Sequence, residues 1–148
     1  MSQGVGDVDL SVGYVLKQAA SALRTRMDAA LRPLELTVPQ YACLELLGQR
    51  EGLSSAELAR GVFVTRQAMN QVLRGLQERG LLARAAAADH GRALPSRLTP
   101  EGERVLGAAS RAVAEVERQM LGAFDEARRR RLLADLTACV TALSETNR

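Results

Sequence analysis

Residues 64–80 read VTRQAMNQVLRGLQERG, and the way this stretch folds decides how the rest of the chain is read. At 100° per residue, Ala68, Met69, Val72, Leu73 and Leu76 fall within an arc of about 140°, the mark of a helix with one buried stripe. The opposite arc holds Arg66, Gln67, Asn70, Arg74, Gln77 and Glu78, with Gln71 at its edge. A solvated helix face usually mixes Lys with Glu. This one is amide-rich and cationic, with no acid before Glu78. Thr65 is placed to cap the helix start, and Gly80 suits the position just past its end.

Upstream, the chain reads as further helices. Val12, Val15, Leu16, Ala19, Leu23, Met27 and Leu31 recur at helical spacing in a first helix from about Val8, and Pro33 stops it. The residues before it form a loose tail. Thr37-Val-Pro-Gln40 is a capping box with Pro39 in the first turn, opening a helix from about Val38 to Gln49 that carries Tyr41, Leu44, Leu46 and Leu47. Ser54-Ser-Ala-Glu57 is a second capping box, opening a short helix to about Arg60, and a turn at 61–63 leads into residues 64–80.

Downstream, Leu81–Arg84 reads as a strand, 85–93 as a turn with Asp89, His90 and Gly91, and Leu94–Leu98 as a returning strand. Pro95 places that strand at an edge. Thr99-Pro100 caps a long helix to about Leu121, which Gly122 interrupts. The last helix, from about Asp125 to Leu143, is expected to bury Leu132, Leu133, Leu136, Cys139, Val140 and Leu143. The run Arg128–Arg131 is expected to pair locally, through Asp125–Arg129 and Arg131–Asp135.

Helix, short helix, polar-faced helix and hairpin together spell a helix-turn-helix extended by a wing. The fold class is mostly α with a small β-hairpin wing. The polar face then has a use. Asn and Gln both donate to and accept from base edges, and Arg grips guanine bidentately. Free NH groups and the positive dipole end at the helix start suit phosphate. Gln67, Asn70 and Gln71 are assigned to base edges, and Thr65, Arg66 and Arg74 to the DNA backbone. Ser54 and Ser55, at the start of the short helix, join the DNA-facing set. Arg92, in a Gly-containing turn, can reach into a minor groove. His90 is expected at the surface.

Composition agrees with this reading. The 148 residues are 47% apolar and 25% charged, ordinary for one soluble domain. No apolar run is long enough for a membrane span, and the N-terminus has neither a basic region nor an apolar core of the export type. The net charge is only +3, but residues 63–98 hold six arginines (66, 74, 79, 84, 92 and 97) against Glu78 and Asp89, a local excess of +4. Lys17 is the only lysine, and part of the Arg bias follows from an Arg- and Ala-rich composition. A cationic patch calls for an anionic partner, of which nucleic acid is the commonest. Cys43 and Cys139 are far apart in apolar helical patterns, with no CxxC motif, and one His gives no zinc site. No cofactor is implied, and a reduced, cytoplasmic setting fits.

Thr37-Val-Pro-Gln-Tyr41, Ser55-Ala-Glu-Leu-Ala59, the stretch from Val64 through VTRQAMNQVLRGLQERGLL, and HGRALPSRLTPEG from His90 together resemble the MarR family of winged-helix transcriptional regulators. The likeness covers nearly the whole chain. One departure lies in the wing. Asp89 stands one residue further from Arg92 than in the family pattern, with His90 at the acid's place, which bears on any Asp–Arg brace there. The resemblance implies an obligate homodimer, with residues 8–31 and 100–146 as a helical dimerisation lobe and 37–99 as the DNA-binding lobe. It implies a pseudo-palindromic operator read in successive major grooves. It also implies a small aromatic effector between the lobes, near Tyr14, Met27 and Tyr41, whose binding releases a repressor from DNA. Two other readings stand beside it. One is a winged helix used as a protein-interaction or dimerisation module, and the other a redox-sensing regulator built on Cys43 or Cys139. An enzyme is not supported, because no nucleophile–base pair, phosphate loop or metal cluster is found.

Overall fold

The computed structural model describes residues 11–84 and 95–145. The elements in chain order are α1 (Val12–Leu31), a 3-10 turn (Arg32–Leu34), α2 (Val38–Gln49), α3 (Ser55–Val62), α4 (Arg66–Glu78), β1 (Leu82–Arg84), β2 (Ser96–Leu98), α5 (Pro100–Met120) and α6 (Glu126–Glu145). The expected order of helices and hairpin is present. Val8 and the first residues, like the wing tip at 85–94, lie outside the described residues.

Helix starts follow the local chemistry of the chain. The Thr37 hydroxyl accepts from the Gln40 NH at 3.2 Å, while the Gln40 side chain accepts from the Thr37 NH at 2.9 Å. Ser54 and Glu57 repeat this reciprocal cap at 3.1 and 3.0 Å. That bond to the Ser54 NH, helped by the nearby Arg50 and Arg60, holds the Glu57 carboxyl below the usual range. Thr65 caps α4 through the Ala68 NH at 3.0 Å. Thr99 caps α5 through the Gly102 NH at 3.0 Å and donates its own proton to the Gly80 carbonyl at 2.6 Å. Such caps contribute about 1 kcal/mol each.

One core joins these elements. Leu31 of α1, Leu44 and Leu47 of α2, Leu58 of α3, and Met69, Leu73 and Leu76 of α4 are buried. Val105 and Ala109 of α5 close the same cluster. The strands pair antiparallel in the register Leu82↔Leu98, Ala83↔Arg97 and Arg84↔Ser96, and Leu53 bridges to Ser96 on the far side. Pro95 is exposed just before β2, at the point where a missing NH does no harm.

Two expectations about the last helix are corrected. Leu133, Leu136, Val140 and Leu143 are exposed rather than buried, at 69%, 38%, 64% and 73%, and so is Cys139. No described residue of α6 is buried within the single chain. The Arg run also pairs differently. Arg130 meets Glu126 at 3.7 Å, and Arg128 lies over the Phe124 ring at 4.5 Å. Arg129 donates to the Leu121 and Phe124 carbonyls, each at 3.1 Å. The Leu121 carbonyl lies at the open end of α5, where the last carbonyls lack an intrahelical donor, and the Arg129 guanidinium supplies one.

Gly102 sits where α5 crosses the start of the wing. A Cβ at this position would fall on the Leu81 carbonyl oxygen, a backbone atom that cannot move aside freely. The Leu81 carbonyl is itself held by the Thr99 NH at 3.1 Å. Gly102→Ala should therefore lower stability by about 1–3 kcal/mol, seen as a drop in thermal midpoint. An unchanged midpoint would show that the crossing is not closely packed.

Candidate nucleic-acid interface

Burial of one stripe of α4 fixes which side faces outward. Met69, Leu73 and Leu76 are fully buried, and Ala68 and Val72 are half-buried. Arg66, Gln67, Asn70, Gln71, Arg74 and Gln77 are all exposed, on one continuous surface. Among the described residues Arg66 and Arg74 have no ion-pair partner, so their charge is available to a ligand. At the start of α4 the Thr65 hydroxyl takes the Ala68 NH and the Thr65 carbonyl takes the Met69 NH. The Arg66 and Gln67 NH groups have no intrahelical partner and point off the helix end. The arrangement offers anion-binding backbone beside cationic and amide side chains, with no carboxylate before Glu78.

The remaining residues expected at the site divide. Ser54 uses its hydroxyl oxygen to cap α3, which leaves its proton free to donate. Ser55 faces inward and leaves the DNA-facing set. It is 6% exposed, and its Oγ accepts from Arg84 Nη2 at 3.1 Å. Adjacent residues at a helix start point about 100° apart, so a cap at Ser54 turns Ser55 toward the wing base. Arg92 and His90 lie outside the described residues.

Two arginines of the cationic segment turn out to be structural. Arg84 ties β1 to α3, with its Nε buried and unpartnered, as is the Oγ of Ser96 opposite it. Arg79, at the end of α4, donates to the Glu35 carbonyl at 2.7 Å and the Leu34 carbonyl at 3.1 Å. It fastens the polar-faced helix to the turn that ends α1. Local sequence gives no sign of this clamp, since its partners are backbone carbonyls about 45 residues away. Arg66, Arg74 and Arg97 are exposed with no side-chain hydrogen bond among the described residues, and Arg79 keeps its charge at the surface while its guanidinium is anchored.

Within the single chain the residues expected around an effector stand apart. Tyr14 is 39% exposed near the start of α1, and Met27 packs against the core. Thirteen residues of helix separate them, roughly 20 Å at 1.5 Å per residue. Tyr41 is buried, and its phenol is pushed up to about 12 by burial and by its bond to Glu45, against the opposing effect of Ser110. A cavity of about 230 Å3 does lie between α1 and α5, lined by Leu23, Arg26, Val116, Gln119 and Met120 among others.

Cys43 is completely buried, and burial pushes its thiol up to about 12. At neutral pH it carries almost no thiolate, the form that oxidants and alkylating agents attack. Among the described residues no group of His, Cys, Asp or Glu gathers that could hold a metal ion, and no helix is long and apolar enough to cross a membrane.

A helix-turn-helix with an exposed amide and cationic second helix, followed by an antiparallel hairpin, defines a winged helix-turn-helix protein. A model of the MarR family matches residues 34–93. The HTH-type transcriptional repressor Rv2887 of Mycobacterium tuberculosis is 45% identical over 135 residues, covering 91% of this chain and 88% of that one. A crystal structure of Rv2887 in complex with DNA aligns with a TM-score of 0.73 and 38% identity, over 87% of this chain and 97% of that chain. Its complex with salicylic acid aligns with a TM-score of 0.71 and 40% identity, over 87% and 96%. The chain belongs to the MarR family.

If Cys43 is as inert as its burial implies, iodoacetamide should leave it unmodified in the native protein and label it only after denaturation, as read by peptide mass mapping. Native labelling at the rate of a free thiol would return the redox-sensing reading.

Proposed function

We propose that this protein is a homodimeric, sequence-specific DNA-binding regulator of transcription, a cytoplasmic repressor without catalytic activity of its own. One observation carries the reading. The buried stripe of α4 presents Arg66, Gln67, Asn70, Gln71 and Arg74 together, with no carboxylate on that face before Glu78. In a major groove the amides meet base edges, and Thr65, Arg66 and Arg74 hold phosphates. Ser54 and the wing residue Arg92 add backbone and minor-groove contacts. The likeness to Rv2887, a repressor crystallised with DNA, supports the assignment.

The dimer follows from what the single chain leaves uncovered. Val12, Val15 and Leu16 of α1, Met120 of α5, and Leu133 and Val140 of α6 are exposed apolar residues on helices outside the winged helix. Burying them costs nothing in unmet hydrogen bonds and contributes roughly 25 cal/mol per Å² of apolar surface. In this reading α1, α5 and α6 form the dimerisation lobe and residues 37–99 the DNA-binding lobe. The two α4 helices then enter successive major grooves of a pseudo-palindrome.

The effector reading rests on the salicylic acid complex of Rv2887. A small aromatic carboxylate binds the dimer and lowers its affinity for the operator. The effector-binding state differs from the DNA-binding state in the separation of the two α4 helices.

Selection of bound duplexes from a random pool tests the function directly, with and without salicylate. An enriched inverted repeat whose recovery drops with salicylate is expected; no enrichment would remove the reading. On the selected duplex, Asn70→Ala should relax base preference at one position of each half-site, at about 1–3 kcal/mol. Arg74→Ala should weaken all duplexes alike and make the salt dependence shallower by about one phosphate contact per subunit. Equal operator profiles for wild type and Asn70→Ala would take Asn70 out of the base-reading set.

A further inference from the structure

Among the described residues the large exposed hydrophobic side chains fall in two places of different kind. Val12, Tyr14, Val15, Leu16, Met120, Leu133, Leu136, Val140 and Leu143 belong to α1, α5 and α6. Among the described residues of the winged helix Phe63, in the turn between α3 and α4, is the one large exposed hydrophobic, and at 92% exposure it is the barest of those described. The partner subunit that covers the first group has no reason to reach the second.

The backbone at Phe63 makes its presence more telling. The residue ends α3 in the left-handed conformation, φ 64° and ψ 44°. The Val64 NH bonds the Ala59 carbonyl at 3.0 Å, and the Val64 side chain packs against the core. This is the helix-ending motif in which glycine, or next asparagine, is favoured, because a Cβ is crowded there. A phenylalanine gains nothing from the fold at this point. Its backbone is strained and its ring lies in water.

Its surroundings name the partner. Thr65, the cap of α4, is two residues on, so the Phe63 backbone lies within about 7 Å of the Thr65 backbone. Between Glu57 and Glu78 the chain holds Arg60, Arg66 and Arg74 and no acid. Arg60 and Arg66, on either side of the turn, are exposed. An apolar ring between two exposed arginines fits a surface that is anionic at its edges and apolar between them. The sugar-phosphate backbone has that character: phosphates flank the carbon face of each deoxyribose.

We propose that Phe63 is a DNA contact, its ring lying against a deoxyribose at the edge of the major groove that α4 enters, with Arg66 and Arg60 on the flanking phosphates. This rests on the DNA-binding function proposed above. The contact positions the start of α4 and carries no base information. It also explains why the strained conformation is filled by a large side chain.

The test uses the full-length protein and a duplex selected by the wild type. Phe63→Asn and Phe63→Gly should raise the thermal midpoint or leave it unchanged, since both residues suit the left-handed backbone. Both should weaken DNA binding about 5- to 10-fold, equally on the selected duplex and on unrelated duplexes, with the salt slope unchanged because no phosphate contact is lost. Phe63→Tyr should keep wild-type affinity. Unchanged affinity in the Asn and Gly variants overturns the proposal, as does an altered base preference or a change in the mass of the free protein, which would place the ring against a base or a second copy. Failure of the wild type itself to bind any duplex would instead refute the DNA-binding function.

Discussion

The buried stripe of α4 is the constraint on which the rest depends. Met69, Leu73 and Leu76 have no exposed surface, and each contributes about 1.5–3 kcal/mol by leaving water. With those three side chains fixed, the helix cannot roll. Arg66, Asn70 and Arg74 are then held outward by the same periodicity that holds the leucines inward. A functional surface thus results from packing, and its rigidity comes from the core instead of from contacts within the surface. Arg79 adds a second restraint, tying the far end of the helix to the Leu34 and Glu35 carbonyls.

From that fixed helix the remaining features follow in order. The caps at Thr37, Ser54, Thr65 and Thr99 set where each helix begins, and therefore the lengths of the turns between them. Thr99 reaches back to the Gly80 carbonyl, so the end of α4 and the start of α5 are bolted together across the hairpin. Gly102 allows α5 to cross close over Leu81. A winged helix is thereby joined to the long helices α1 and α5.

Much of this was legible in the sequence. Four capping residues, the two faces of α4 and the element order were all read from spacing alone, because each depends on residues within one helical turn. Most of the corrections depend on atoms that periodicity within one helix does not reach. Ser55 looked like surface beside Ser54, but Arg84 of the hairpin comes down on it. Arg79 was read only as a surface charge, and the Leu34 and Glu35 carbonyls show that it also fastens α4. Asp125 was paired with Arg129, whereas it caps α6 through the Arg128 NH at 2.8 Å and Arg129 turns back to α5. The apolar pattern of α6 was read correctly as something to be covered, but the cover does not come from its own chain.

The central physical idea is that two copies of the α4 face, held a fixed distance apart, enter neighbouring major grooves. Hydroxyl-radical footprinting on the selected duplex addresses it most directly. Two protected tracts of equal strength, centred about one helical turn apart and related by the symmetry of the site, are expected with two chains bound. A single tract, or protection by one chain alone, would contradict it.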